Sequence, residues 1–213
     1  NYAGEINDTL FDGRIIKGML VNGIKQGEWK TFFQHGKSNL TFSYTNNVIN
    51  GSYTEKNKDG VLTEKGEFHF GLREGLWNSY FENGKKLALR NYRNGWLDGK
   101  QETWYESGQN HLRYHYENFE LNGLFKRWDS DGILIESGQF NKGYINGRWE
   151  MHLKIAQLYQ DIILNNPNLN WGFPIEALED GYLSYSIELE QYEDRKYCSW
   201  GICVKRLNIS DID

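Results

Sequence analysis

Large apolar side chains recur along the chain in a fixed frame of 24 residues. Counting from a lead glycine (Gly27, Gly51, Gly75, Gly99, Gly123, Gly147), the second residue on is Trp29, Tyr53, Trp77, Gln101, Phe125 and Trp149. The fifth is Phe32, Lys56, Tyr80, Trp104, Trp128 and His152, and the seventeenth is Tyr44, Phe68, Tyr92, Tyr116 and Phe140. Side chains alternate across a strand, so the second and fifth positions fall on opposite faces. A short apolar period bounded by turn residues reads as a strand, and a fixed repeat of this length reads as a tandem array.

Glycine follows the same frame, and this identifies the turns. Gly36, Gly60, Gly84, Gly108 and Gly132 stand nine residues after their leads. Gly23, Gly71, Gly95 and Gly143 share another position, with Asn47 and Phe119 as substitutes, and Gly18, Gly66 and Gly138 a third. In all, 18 of the 23 glycines are placed by the repeat. Each unit therefore predicts strand, tight turn near Gly84, strand, tight turn through Gly71 to Gly75. Residues 1–22 read as a degenerate first unit, in which Gly4 and Gly13 keep the nine-residue spacing.

The expected fold is all-β: tandem 24-residue β-hairpins forming an elongated, twisted single-layer sheet, with a small α+β C-terminal cap. The array is expected over 1–150 and the cap over 151–213. In the cap, Ile155, Leu158, Tyr159, Ile162 and Ile163 have helical spacing within 151–165. Residues 181–190 alternate as a strand, and a second strand over Cys198–Leu207 is expected to pair with it as a hairpin.

Charge separates the two regions. Residues 1–150 hold 19 basic and 19 acidic side chains; residues 151–213 hold 5 and 10, and so the whole net charge of −5. No basic stripe suited to nucleic acid is visible, and no apolar run is long enough to span a membrane. His111 and His115 lie four apart on a predicted strand, ~13 Å from one another, too far to share a metal. Cys198 and Cys203 would stand ~16 Å apart on a straight strand, beyond the ~7 Å limit for a bridge unless Gly201 makes a sharp bend. Unbridged thiols point to a reducing, cytoplasmic location, or to the cell envelope had a signal peptide been removed before Asn1. The sequence carries no P-loop, dinucleotide fingerprint or nucleophile elbow. Catalytic residues, metal ligands and cofactors are accordingly not expected.

The segment Tyr92-Arg93-Asn94-Gly95-Trp96-Leu97-Asp98-Gly99, with the aromatic and glycine positions around it, resembles the MORN repeat in its bacterial variant form. The resemblance covers about Gly18 to Trp149. It implies a non-catalytic protein-binding module, most concretely a bacterial antitoxin, immunity-type or adaptor protein. The alternatives are a structural scaffold or envelope repeat protein, and an enzyme with unrecognised chemistry in the C-terminal segment.

Two surfaces are candidates for partner binding. One is the aromatic row Phe32, Tyr80, Trp104 and Trp128, which Lys56 and His152 interrupt, as a solvent-facing row would be. The other is the acidic group Glu188, Glu190, Glu193 and Asp194, suited to a basic toxin by electrostatic steering. Exposed strand edges would also permit a homodimer.

Overall fold

The computed structural model describes residues 2–154, 182–189, 198–199 and 202–203, with side chains over residues 2–150. Two compact units divide the chain, residues 1–112 and 113–213. The described residues are all-β, as the repeat predicts.

The first unit is an antiparallel meander of β1 (Gly4–Thr9), β2 (Ile15–Val21), β3 (Ile24–Phe32), β4 (Ser38–Thr45), β5 (Val48–Lys56), β6 (Leu62–His69), β7 (Leu72–Tyr80), β8 (Lys86–Arg93), β9 (Trp96–Leu97) and β10 (Gly99–Trp104). Two kinds of turn alternate. The longer one closes on the framed glycine: the N–H of Gly84 donates to the Phe81 carbonyl, and that of Phe81 to the Lys85 carbonyl. The shorter is a two-residue loop with both central residues at positive φ, such as Asn22-Gly23, Asn46-Asn47, Phe70-Gly71 and Asn94-Gly95. Loops of this type match the right-handed twist of the strands they join.

The expected turn through Gly71 to Gly75 is corrected by this geometry. Two residues suffice to reverse the chain, so β7 has begun by Leu72. Gly75 lies within β7 at φ 65°, where the register slips. Lys65 pairs with Asn78 and Glu67 with Glu74, so three residues of β7 oppose Gly66 alone. The same bulge recurs between β2 and β3 and between β4 and β5. It is the glycine-assisted bulge that lets a strand bend and twist.

Successive short turns are tied to each other. The N–H of Asn47 donates to the Lys25 carbonyl, that of Gly71 to the Ile49 carbonyl and that of Gly95 to the Arg73 carbonyl. At the opposite end, Lys37 and Lys85 donate through Nζ to the Asp59 and Ser107 carbonyls of the next long turns. The short turns are thus linked in series, and two of the long turns are tied to the next one as well.

One sheet face holds the core. Trp29 pairs with Phe42, Phe42 with Tyr53 and Tyr53 with Gly66 in a cross-strand row, which Trp77, paired with Arg90, resumes beyond the bulge at Gly66. Trp29, Phe42 and Trp77 are buried, and Tyr44, Phe68 and Tyr92 form a half-buried row beside them. Trp77 sits at the centre: its ring meets Phe68 at 5.0 Å, Tyr53 at 5.4 Å and Tyr92 at 6.2 Å, and the Arg73 guanidinium lies 3.9 Å from its centroid. Gln101 occupies the next aromatic position and is fully buried. It fits because its amide bridges backbone groups, accepting from the Asn91 N–H and donating to the Asn91 and Gly99 carbonyls.

The second unit repeats the scheme with β11 (Asn110–Glu117, which crosses the boundary), β12 (Glu120–Leu121), β13 (Gly123–Trp128), β14 (Leu134–Asn141), β15 (Tyr144–Ile145), β16 (Gly147–Lys154) and β17 (Tyr182–Leu189). Phe125, Phe140 and Trp149 are its buried aromatics, with Phe125 stacked on Trp149 at 5.3 Å. Glu136 is buried beside them, accepting from Trp149 Nε1 at 3.1 Å and Arg127 Nε at 2.7 Å. Trp29 has Ile16 at the position corresponding to Glu136, and its Nε1 finds no acceptor among the described residues.

One expectation for the C-terminal region is corrected. Met151–Lys154 continues β16 instead of opening a helix, because its backbone pairs with β17 from Gly147↔Leu189 to Lys154↔Tyr182. The expected hairpin between 181–190 and 198–207 lies largely outside the described residues. Within 198–207 the structure describes β18 (Cys198–Ser199) against β19 (Ile202–Cys203), which places the backbones of Cys198 and Cys203 opposite each other. The remainder of the expected helix lies outside the described residues.

Candidate interaction surfaces

The aromatic row expected to bind a partner stands at the ends of the strands that carry the core residues. Phe32 is at the end of β3, Tyr80 at the end of β7 and Trp104 at the end of β10; Trp128 belongs to the second unit. Four strand steps of ~4.8 Å separate Phe32 from Tyr80. All four rings are half-buried. Three carry a cation from a neighbouring strand: Lys17 lies 5.5 Å from the Phe32 centroid, Lys86 5.7 Å from Trp104 and Arg113 5.6 Å from Trp128. Of the acidic group, Glu188 falls in β17, in the part described without side chains; Glu190, Glu193 and Asp194 lie outside the described residues.

Tyr80 borders an open groove of about 1120 Å³ in the first unit. Glu55 and Glu64 are direct cross-strand partners there. Like charges so placed repel, and the surroundings offset this. Arg73 binds Glu64 through both guanidinium nitrogens at 3.2 and 2.9 Å, and the Tyr53 hydroxyl donates to Glu55 at 3.2 Å. Burial, followed by the charge and hydrogen bond of Glu55, raises the Tyr53 pKa well above the usual phenol range. The groove also holds Arg14, Lys56 and Lys58, so its lining mixes both signs. Among the described residues no group of three or more acidic, His or Cys side chains is placed to hold a metal ion.

A third surface was missed by the sequence reading. Three residues before the first four lead glycines, just after the short turn, stand Ile24, Val48, Leu72 and Trp96. All four are exposed, Trp96 to 67%. They form a stacked ridge: the short-turn Gly71 has Val48 Cγ1 as the nearest neighbour of its absent Cβ at 3.7 Å, and Gly95 has Leu72 Cδ2 at 3.3 Å.

Phe70 stands beside this ridge. It is 60% exposed and has φ 45°, a left-handed conformation unfavourable for a bulky residue. The corresponding positions are Asn22, Asn46, Asn94, Asn118 and Lys142. Asparagine tolerates this conformation, and phenylalanine does not do so readily. The signal was present in the sequence, as an aromatic where the frame puts Asn, but only the turn geometry shows that the residue is strained.

These features define the chain as an all-β protein of tandem hairpins whose turns are stacked into continuous ridges. Residues 73–94 match a family model described as a MORN repeat variant, which meets the resemblance expected from the sequence. MORN repeats are generally protein- or membrane-binding repeat modules without enzymatic activity of their own. No helix among the described residues is long and apolar enough to cross a membrane. A search of curated proteins found no match to the chain.

Proposed function

We propose that this chain is a non-catalytic protein-interaction module of antitoxin, immunity or adaptor type, which engages its partner through the short-turn ridge of the first unit. The observation that carries this reading is Phe70. Backbone strain persists where something other than local stability maintains it, and it concentrates at functional positions. An exposed aromatic held in a left-handed turn, flanked by Leu72 and Trp96, has the character of an anchor residue at a protein interface. The aromatic row Phe32, Tyr80, Trp104 and Trp128 and the acidic group Glu188, Glu190, Glu193 and Asp194 are secondary contacts in this reading. They would add area and steer a basic partner. A cytoplasmic location goes with it, since an antitoxin acts where its toxin does.

The test is capture of a stoichiometric partner from the native host, followed by expression of that partner alone and together with this chain. Growth arrest by the partner, relieved on co-expression and restored by Phe70→Asn together with Trp96→Asp, supports the inhibitor reading. A partner that is harmless alone sinks the antitoxin form and leaves the adaptor. Recovery of no stoichiometric partner sinks both.

A further inference from the structure

Cys198 and Cys203 are the two cysteines of the sequence, and the pairing of β18 with β19 sets their backbones directly opposite each other. Ser199 pairs with Ile202 in the same register, so two residues, Trp200 and Gly201, connect the strands. Directly opposite residues of an antiparallel pair have Cα atoms about 4.5 or 5.5 Å apart, according to whether they exchange backbone hydrogen bonds. Both values lie inside the range of about 4.4–6.8 Å that a disulfide spans. They replace the separation of ~16 Å expected on a straight strand. The reversal that the sequence alone made conditional on Gly201 is present in the register.

We infer that Cys198 and Cys203 form a reversible dithiol–disulfide site, which clasps the β18–β19 hairpin when a small-molecule disulfide serves as oxidant. The inference goes beyond the binding ridge, which lies in the first unit. The chemistry is thiol–disulfide exchange in two steps. The thiolate of one cysteine attacks a sulfur of the oxidant, whose S–S bond breaks and releases one reduced thiol. The thiolate of the other cysteine then attacks the protein sulfur of this mixed disulfide. The bond between Cys198 and Cys203 forms, and the second reduced thiol leaves. The protein gives up two electrons and two protons, and the oxidant takes them. Register favours the second step, because the backbone of the resolving cysteine already stands at bridging distance. Lys196 and Lys205 are each two residues from a cysteine, at most ~7 Å along the chain. Cations within that distance favour the thiolate, which is the attacking form. In a reducing compartment the pair stays as thiols, in keeping with the cytoplasmic location proposed above.

The test equilibrates the full chain in mixtures of reduced and oxidised glutathione, quenches with acid, alkylates the free thiols and digests with trypsin. Cleavage after Lys196 and Lys205 leaves both cysteines in one peptide, residues 197–205. The expected main product is this peptide unalkylated and two hydrogens lighter than its dithiol form. At a fixed glutathione ratio, the bridged fraction relative to dithiol should be about tenfold greater for the native chain than for the chain in concentrated guanidinium chloride. A register variant, Ile202→Cys/Cys203→Ile, keeps two cysteines but moves one off the opposite position and onto the other face of its strand. It should bridge about tenfold less readily than the native pair. Mixed disulfides with glutathione as the main product, or disulfide-linked dimers in their place, would overturn the inference. Equal bridging in the native and denatured chains, or in the register variant, would also overturn it, because nearness in sequence would then suffice without the pairing.

Discussion

The indole of Trp77 packs directly on the backbone of Gly66: a Cβ built there would stand 2.3 Å from Trp77 Cδ2. Tyr53 pairs with Gly66 from the other side, and the Tyr53 and Trp77 rings meet at 5.4 Å over β6. The relationship is repeated. Gly18 lies 2.1 Å by the same construction from Trp29, and Gly138 lies 2.0 Å from Trp149. Where the position opposite is Phe42, Arg90 or Tyr114, the ring position holds Tyr53, Gln101 or Phe125 instead of Trp. Tryptophan and glycine are thus two halves of one packing solution.

Gly66→Ala should lower stability by about 1–3 kcal/mol, because neither the buried indole nor the strand backbone can move aside freely. For a chain of this length each kcal/mol corresponds to a fall of roughly 2–4 °C in Tm. The double variant Gly66→Ala/Trp77→Tyr should recover part of the loss, since the smaller ring leaves room for the methyl group. Thermal denaturation of the two variants, with Trp77→Tyr alone as the reference for coupling, checks this.

Phe70→Asn should stabilise the protein by about 1 kcal/mol, the order of the left-handed penalty it relieves. The Phe70 N–H donates to Asn50 Oδ1 at 3.0 Å, and a backbone donor survives the change. The same substitution should weaken partner capture. Urea denaturation beside a capture assay separates the two effects; loss of both stability and binding would point to a structural role for the ring.

Gln101→Leu should cost about 1–3 kcal/mol although it replaces a polar side chain with an apolar one in the core. The backbone N–H of Asn91 loses its acceptor, whereas the Asn91 carbonyl keeps the Asp98 N–H, and a buried group left unpaired bears its full desolvation penalty. Faster hydrogen exchange at the Asn91 amide would be the local signature.

Stability should fall in strongly alkaline solution. Burial first, then the charge and hydrogen bond of Glu55, raise the Tyr53 pKa in the folded state, and burial raises that of Tyr116. An acid whose folded pKa is raised is fully stabilising below its unfolded pKa, about 10 for tyrosine. That contribution is lost as pH climbs above it. Denaturation midpoints between pH 9 and pH 11.5 should show the decline, and Tyr53→Phe should make it shallower. An unchanged slope in that variant would contradict the assignment.

The repeat, the strand order and the buried face were legible because the 24-residue frame constrains glycine and aromatic positions together. Three things were not. Gly75 was expected in a turn because a positive-φ glycine serves turns and bulges alike, and sequence does not distinguish them; only the pairing of Lys65 with Asn78 does. Met151–Lys154 was expected in a helix because its short apolar spacing suits either element, and pairing with β17 decides for strand. The aromatic row through Phe32, Tyr80 and Trp104 was read as the exposed surface from its polar interruptions. The ridge of Ile24, Val48, Leu72 and Trp96 was passed over because a residue beside a two-residue turn gives no periodic signal of its own within a strand. Its exposure follows from the stacking of turns, which is a tertiary fact.

The central claim is that the short-turn ridge is the binding surface, and the most direct measurement compares two variants in one capture experiment. Phe70→Asn/Leu72→Asp/Trp96→Asp alters the ridge, and Phe32→Ala/Tyr80→Ala/Trp104→Ala alters the aromatic row, with circular dichroism confirming that both remain folded. Loss of the partner with the first variant and its retention with the second is the predicted result. Retention with the first and loss with the second would contradict the account and return the interface to the aromatic row.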